Sequence, residues 1–171
     1  LALCLSVYSV LAALVGRWKN RPFLALSAER GVLAVWALVT TASGILIYLL
    51  FQNDFRLSFV AGHSNRDLSP IYKFAAWWGG QEGSLLFWLW ILSTYSFIAV
   101  YRNRRRHRDM MGYVIAILMT VQIFFLLLVT IPASPFQVLA ANGEITAVPD
   151  GRGLNPLLQY PAMVIHPPML Y

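Results

Sequence analysis

The chain has 171 residues, 58% of them hydrophobic and 12% charged, with a formal net charge of +6. Soluble domains carry about 25% charged residues. Half that share, with 14% aromatics and a mean hydropathy of +0.62, excludes an ordinary soluble globule and points to a membrane protein.

The apolar residues fall into four blocks, at 1–15, 31–51, 84–101 and 111–131, none of which contains a charge. The last three are close to the ~20 residues that cross a bilayer core. The first is shorter and reads as a truncated transmembrane helix, since a signal peptide would need a basic n-region and a small-residue cleavage site. The predicted fold is therefore all-α: a polytopic membrane helix bundle with four transmembrane helices and two structured outer loops. The intervening segments are 16–30, 52–83, 102–110 and 132–171.

Charge is divided unevenly among these segments. Arg17, Lys19, Arg21 and Arg30 stand against Glu29 alone, and Arg102, Arg104, Arg105, Arg106 and Arg108 against Asp109 alone. The other two segments, taken together, are slightly acidic. Basic residues concentrated in alternate loops place those loops on the cytoplasmic side, so 16–30 and 102–110 are predicted to be cytoplasmic and 52–83 and 132–171 to face outward. The run "RNRRRH" is expected to meet anionic membrane lipid, not nucleic acid.

Within 52–83, Ser69-Pro70 makes a helix start. "IYKFAAWW" follows as an interfacial helix with Tyr72, Trp77 and Trp78 at headgroup level. Gly79 and Gly80 end it. Glu82, two residues before the next span, has two readings. It is a solvated carboxylate complementing a helix N-terminus, or part of a tight turn with Gly79 and Gly80 that admits a flat ligand or a neighbouring helix. Trp77, Trp78, Trp88 and Trp90 read as an aromatic belt, with a porphyrin-facing wall as the alternative. His63 has no second ligand near it in sequence and reads as a turn residue.

In 132–171, "PDGRGLNP" is dense in turn formers, and the loop is expected to fold back on itself. His166 then precedes Pro167 and Pro168. A residue before proline is biased to extended backbone, so the imidazole is predicted to project from a stiff non-helical segment. Rigid presentation suits a metal ligand, and imidazole is a common axial ligand of haem iron. The alternative is a ring that caps the next helix or hydrogen-bonds a carbonyl. Cys4 excludes an internal disulfide, and the chain has no C-x-x-C, C-x-x-C-H, Walker or G-x-G-x-x-G motif.

The runs "AWWGGQEGSLLFW", "DGRGLNPLLQ" and "IHPPMLY", in this order, resemble the N-terminal region of the CcmF family. These are haem-handling membrane subunits of the bacterial cytochrome c maturation haem lyase, and the nitrite-reductase-specific paralogues share the pattern. The likeness is specific from about Asn53 onward, whereas the first two helices match only as hydrophobic segments. It implies a multi-pass protein of the bacterial inner membrane with periplasmic functional loops. Such a protein takes haem from a haem-carrying chaperone and promotes its covalent attachment to C-x-x-C-H apocytochrome c, delivered by presenting subunits. Any haem lyase activity would belong to the complex.

The resemblance further implies that His166 is an outward-facing axial ligand to transiently bound haem. The second outer histidine and the membrane-embedded histidines of the family fall outside these 171 residues, and the stretch is expected to begin and end within transmembrane helices. Trp77, Gly79, Gly80, Glu82, Gly83, Trp88, Asp150, Arg152, Asn155, Pro156, Pro167 and Pro168 are motif residues without a derived role. No acid–base pair stands out as catalytic. Structural or transport subunits without a haem site are the competing reading. The spans carry no charge and few polar groups, which argues against an ion path within them.

Overall fold

In the computed structural model, which describes residues 1–104, 107–141 and 144–170, the first apolar block forms helix α1 (Ala2–Trp18). Its buried face is made of small residues, Ser6, Ser9, Ala12, Ala13 and Gly16. Small side chains let helix backbones approach closely where lipid offers no hydrophobic gain for association. A Cβ on Gly31 of α2 (Pro22–Gln52) would collide with the Ser9 hydroxyl, and one on Gly112 of α6 (Arg108–Thr130) would lie 3.2 Å from the Ala13 carbonyl.

Helix α2 starts nine residues earlier than the apolar block suggests, because Pro22 fits the first turn of a helix and nothing before Gly31 breaks it. The basic segment expected as a loop is thus mainly helix, interrupted only at residues 19–21. Asn20 there has φ +48°, and the Arg21 amide donates to the Gly16 carbonyl at 2.8 Å, closing α1. Arg105 and Arg106, central to the second basic run, lie outside the described residues.

Helix α5 (Gln81–Asn103) is joined to its neighbours by polar and aromatic contacts. Trp36 of α2 donates to the Thr94 hydroxyl at 3.3 Å and stacks on Phe97 with centroids 4.5 Å apart. Gln122 of α6, fully buried, donates to the Ser96 hydroxyl at 2.9 Å. Among the described residues three helices are long and apolar enough to cross a membrane, α2, α5 and α6, and α1 is a shorter apolar helix.

The chain divides into two packing units, Leu1–Thr41 with Trp88–Thr130, and Ala42–Phe87 with Ile131–Tyr171. The second contains the short helices α3 (Ser58–His63) and α4 (Pro70–Ala75), a 3₁₀ turn at Ala76–Trp78, a two-residue antiparallel ladder of β1 (Ala140–Ala141) with β2 (Glu144–Ile145), a second 3₁₀ turn at Pro156–Gln159, and α7 (Pro161–Leu170). Pro70 begins α4 as expected, but the Ser69 side chain makes no cap hydrogen bond.

Candidate functional site

His166 lies inside α7, not in the extended segment expected before a proline pair. Proline in a helix removes the N–H that would bond the carbonyl four residues back. For Pro168 that carbonyl is Val164's, and the structure supplies another donor: the Trp78 indole N–H, 3.0 Å away. Proline is tolerated in helices where a neighbouring group satisfies the freed carbonyl, and this bond outweighs the local bias. His166 is exposed, and its ring makes no hydrogen bond among the described residues. The placement of the Pro167 and Pro168 rings, and of Tyr171, lies outside the described residues.

Trp78 is fixed from several sides. Its ring packs edge-on to Phe74 at 5.3 Å and beside Phe87 at 5.3 Å, and its carbonyl accepts from the Ser84 hydroxyl at 2.9 Å. Trp77 is buried and meets Phe87 edge-on at 4.9 Å. Both tryptophans make packing contacts within this unit, and the headgroup-level reading of Trp78 did not include its bond to Val164. A signal existed: a proline at 168 implies an external donor for the carbonyl at 164, and an indole is donor-only. Trp88 belongs to the other unit.

The glycines of "WWGGQEG" serve close protein packing. A Cβ on Gly79 would lie 2.6 Å from the Leu154 side chain; one on Gly80 would enter the His63 ring; one on Gly83 would collide with the Trp77 carbonyl and the Phe59 ring. Glu82 itself lies in the first turn of α5, and the glycines around it meet neighbouring segments of the chain. His63 is the last residue of α3, not a turn residue. Its ring stacks on Phe59 at 4.5 Å, and since a carbonyl only accepts, Nδ1 donates to the Phe59 carbonyl at 3.0 Å.

The loop folds back on itself through the β1–β2 ladder, and its "PDGRGLNP" run docks on residues 61–66. The Arg152 amide donates to the Ala61 carbonyl at 2.8 Å, Gly153 to Ser64 at 3.2 Å, and Arg66 to the Asp150 carboxylate at 3.1 Å. Gly153 has φ +80°, a conformation that favours glycine, with Asn65 against its open face. Asn155 caps the Pro156–Gln159 turn, its side-chain oxygen accepting from the Leu157 amide at 3.0 Å. These motif residues therefore anchor the segment that leads into α7. His63, Glu82, Asp150 and Arg152 line one cavity of about 440 Å³. Among the described residues no group of three or more His, Cys, Asp or Glu side chains could hold a metal ion. An exposed imidazole on a braced helix fits one axial position on haem iron.

Fold and site together define a helical membrane protein whose segments before α5 and after α6 are held to one another by backbone bonds and aromatic packing. The profile of the family described as "Cytochrome C assembly protein" matches residues 78–171. The chain is 37% identical over 172 residues to the cytochrome c-type biogenesis protein CcmF of Pseudomonas aeruginosa, and 35% over 173 residues to the cytochrome c-type biogenesis protein NrfE of Haemophilus influenzae. Both alignments cover 100% of this chain, and 25% and 26% of those proteins. A solved structure described as "Cytochrome c Heme Lyase CcmF" matches with TM-score 0.77 at 22% identity, covering 100% of this chain and 26% of that one. The chain belongs to the cytochrome c assembly protein family, and it spans about a quarter of the length of these relatives. The alignments include the first two helices, so the likeness extends further than the motif runs indicate.

Proposed function

We propose that this chain contributes the outward-facing, haem-ligating segment of a cytochrome c maturation haem lyase, with His166 as an axial ligand to transiently bound haem. The observation that carries this reading is His166 itself: an exposed imidazole, without a hydrogen bond among the described residues, on a helix whose proline-freed carbonyl is held by Trp78. Holding the ring in place lowers the ordering cost of coordination. Bound haem would supply the vinyl groups to which the thiols of a C-x-x-C-H apocytochrome add. The task of this chain's residues is to hold and orient, which accounts for much of the rate when two reactants must meet. Glu82 and Arg152 take no part in the chemistry in this reading.

The partners are a haem-carrying chaperone, apocytochrome c and its presenting subunits. The setting is the bacterial inner membrane, with α1, α2, α5 and α6 as spans, residues 16–30 and 102–110 cytoplasmic, and residues 52–83 and 132–171 periplasmic. The uneven distribution of Lys and Arg supports that orientation. The test uses the full-length gene in cells lacking their own copy and measures covalent haem on a C-x-x-C-H reporter. His166→Gly is expected to abolish product and added imidazole to restore part of it. Undiminished product from His166→Gly would sink the ligand assignment and leave a structural subunit.

A further inference from the structure

At the end of the first unit where α1 finishes and α2 and α6 begin, the three helices enclose a cavity of about 450 Å³. Its rim carries the guanidinium-bearing residues Arg17, Arg21 and Arg108, all exposed. The close approach of α6 at Gly112 builds this space, since a Cβ there would lie 3.1 Å from the Arg17 side chain. The turn at Asn20 brings Arg21 to the same mouth. Among the described residues none of these three arginines has a carboxylate within salt-bridge distance. Arg17 lies 6.0 Å from the centre of the Tyr113 ring, a weak contact that leaves its N–H donors available.

One wall is apolar, with Met111 and Ile115 buried and Leu26 exposed beside them, on helices long enough to cross a membrane. Guanidinium groups match phosphate oxygens in two-pronged fashion, and basic pockets between membrane helices suit lipid headgroups. Glu29 and Asp109 also line the cavity. Their charges disfavour a free phosphate dianion more than a phosphodiester, which carries a single negative charge. An apolar wall leading towards the bilayer is of no use to an inorganic ion, but it is what the first carbons of an acyl chain require. The volume lies in the range of about 300–1,000 Å³ typical of small-molecule sites.

We propose that this cavity binds one membrane phospholipid, its phosphodiester held by Arg17, Arg21 and Arg108 and its acyl chains laid against Leu26, Met111 and Ile115. The assignment is independent of the haem reading, because it uses none of the same residues.

The test is native mass spectrometry of the full-length protein, purified in mild detergent, stripped of lipid and titrated with phosphatidylglycerol. One retained lipid per chain is expected. An Arg17→Gln/Arg21→Gln double variant should weaken retention by about tenfold or more, as loss of charge-assisted bonds to phosphate predicts. Arg108→Gln, the milder change, should weaken it less, and Arg56→Gln, a control elsewhere on the surface, should leave it unchanged. Inorganic phosphate at the lipid's concentration should fail to displace it. Equal retention by wild type, the double variant and Arg108→Gln would overturn the site, and displacement by inorganic phosphate would overturn the lipid assignment in favour of a free-anion pocket.

Discussion

The indole N–H of Trp78 donates to the carbonyl of Val164 across 86 positions of sequence, at 3.0 Å, at the place in α7 where Pro168 can offer no amide. One bond thus ties the segment between α2 and α5 to the helix that carries His166. Leaving a partly buried carbonyl without a donor costs about 1–3 kcal/mol.

Trp78→Phe keeps an aromatic ring against Phe74 and Phe87 but removes the donor. It should loosen residues 160–170, read as faster amide hydrogen exchange there and as reduced haem attachment in the reporter assay. Pro168→Ala returns an N–H to the helix ladder, so the double variant should recover much of the exchange protection. If Pro168→Ala leaves the Trp78→Phe defect unchanged, the indole acts through packing alone and the hydrogen bond is incidental.

Three of the apolar blocks were legible from charge-free length, and α2, α5 and α6 are helices there because in lipid the backbone must satisfy itself internally. The extension of α2 back to Pro22 was less visible, since the charges at Glu29 and Arg30 hide a helix that no breaker interrupts. His166 could be picked out as a candidate, but its helical setting could not. Local bias before proline argues for extended backbone, and the donor that reverses it comes from a tryptophan far away in sequence. The glycines at 79 and 80 were likewise recognisable as permitting close approach, while the approaching groups, the Leu154 side chain and the His63 ring, are brought by tertiary packing. Local composition specifies that something comes near; only the fold says what.

Gly83 therefore provides a sharp contrast with Gly44. A Cβ on Gly83 meets the Trp77 carbonyl and the Phe59 ring, and the first of these is backbone and cannot swing aside. Gly83→Ala should cost about 1–3 kcal/mol, as overpacking of a filled interior does, with a matching fall in the unfolding temperature of the detergent-solubilised protein. Gly44, inside α2, has nothing within 4 Å of its would-be Cβ. Gly44→Ala should be neutral or slightly stabilising, because alanine loses less backbone freedom in a helix. An equal loss of stability from both variants would mean that the close approach at Gly83 is not what the residue is for.

Just past the end of α2, Asp54 accepts from the Arg56 side chain, with Nε at 2.8 Å, and from the Arg56 amide at 3.2 Å. This short turn leads into the pairing of Leu57 with Val138, where Ser58 donates to the Gln137 carbonyl at 2.9 Å and Leu139 to Arg56 at 2.7 Å. The hydrogen bonds from Arg56 hold the Asp54 carboxyl below its ordinary value of 3.8. A carboxyl whose folded value is depressed stabilises the fold above its unfolded value, and that contribution disappears as pH falls through the folded one. Asp54→Asn should then lower the unfolding temperature at neutral pH by a small amount, on the order of one or two degrees for an exposed ion pair. The gap between wild type and variant should stay constant down to about pH 5 and close as the pH drops through 3.8 and below. Thermal melts of both proteins from pH 3 to 7 would read this directly. A gap that persists unchanged at the acid end would assign the effect to the shape of the turn and not to its charge.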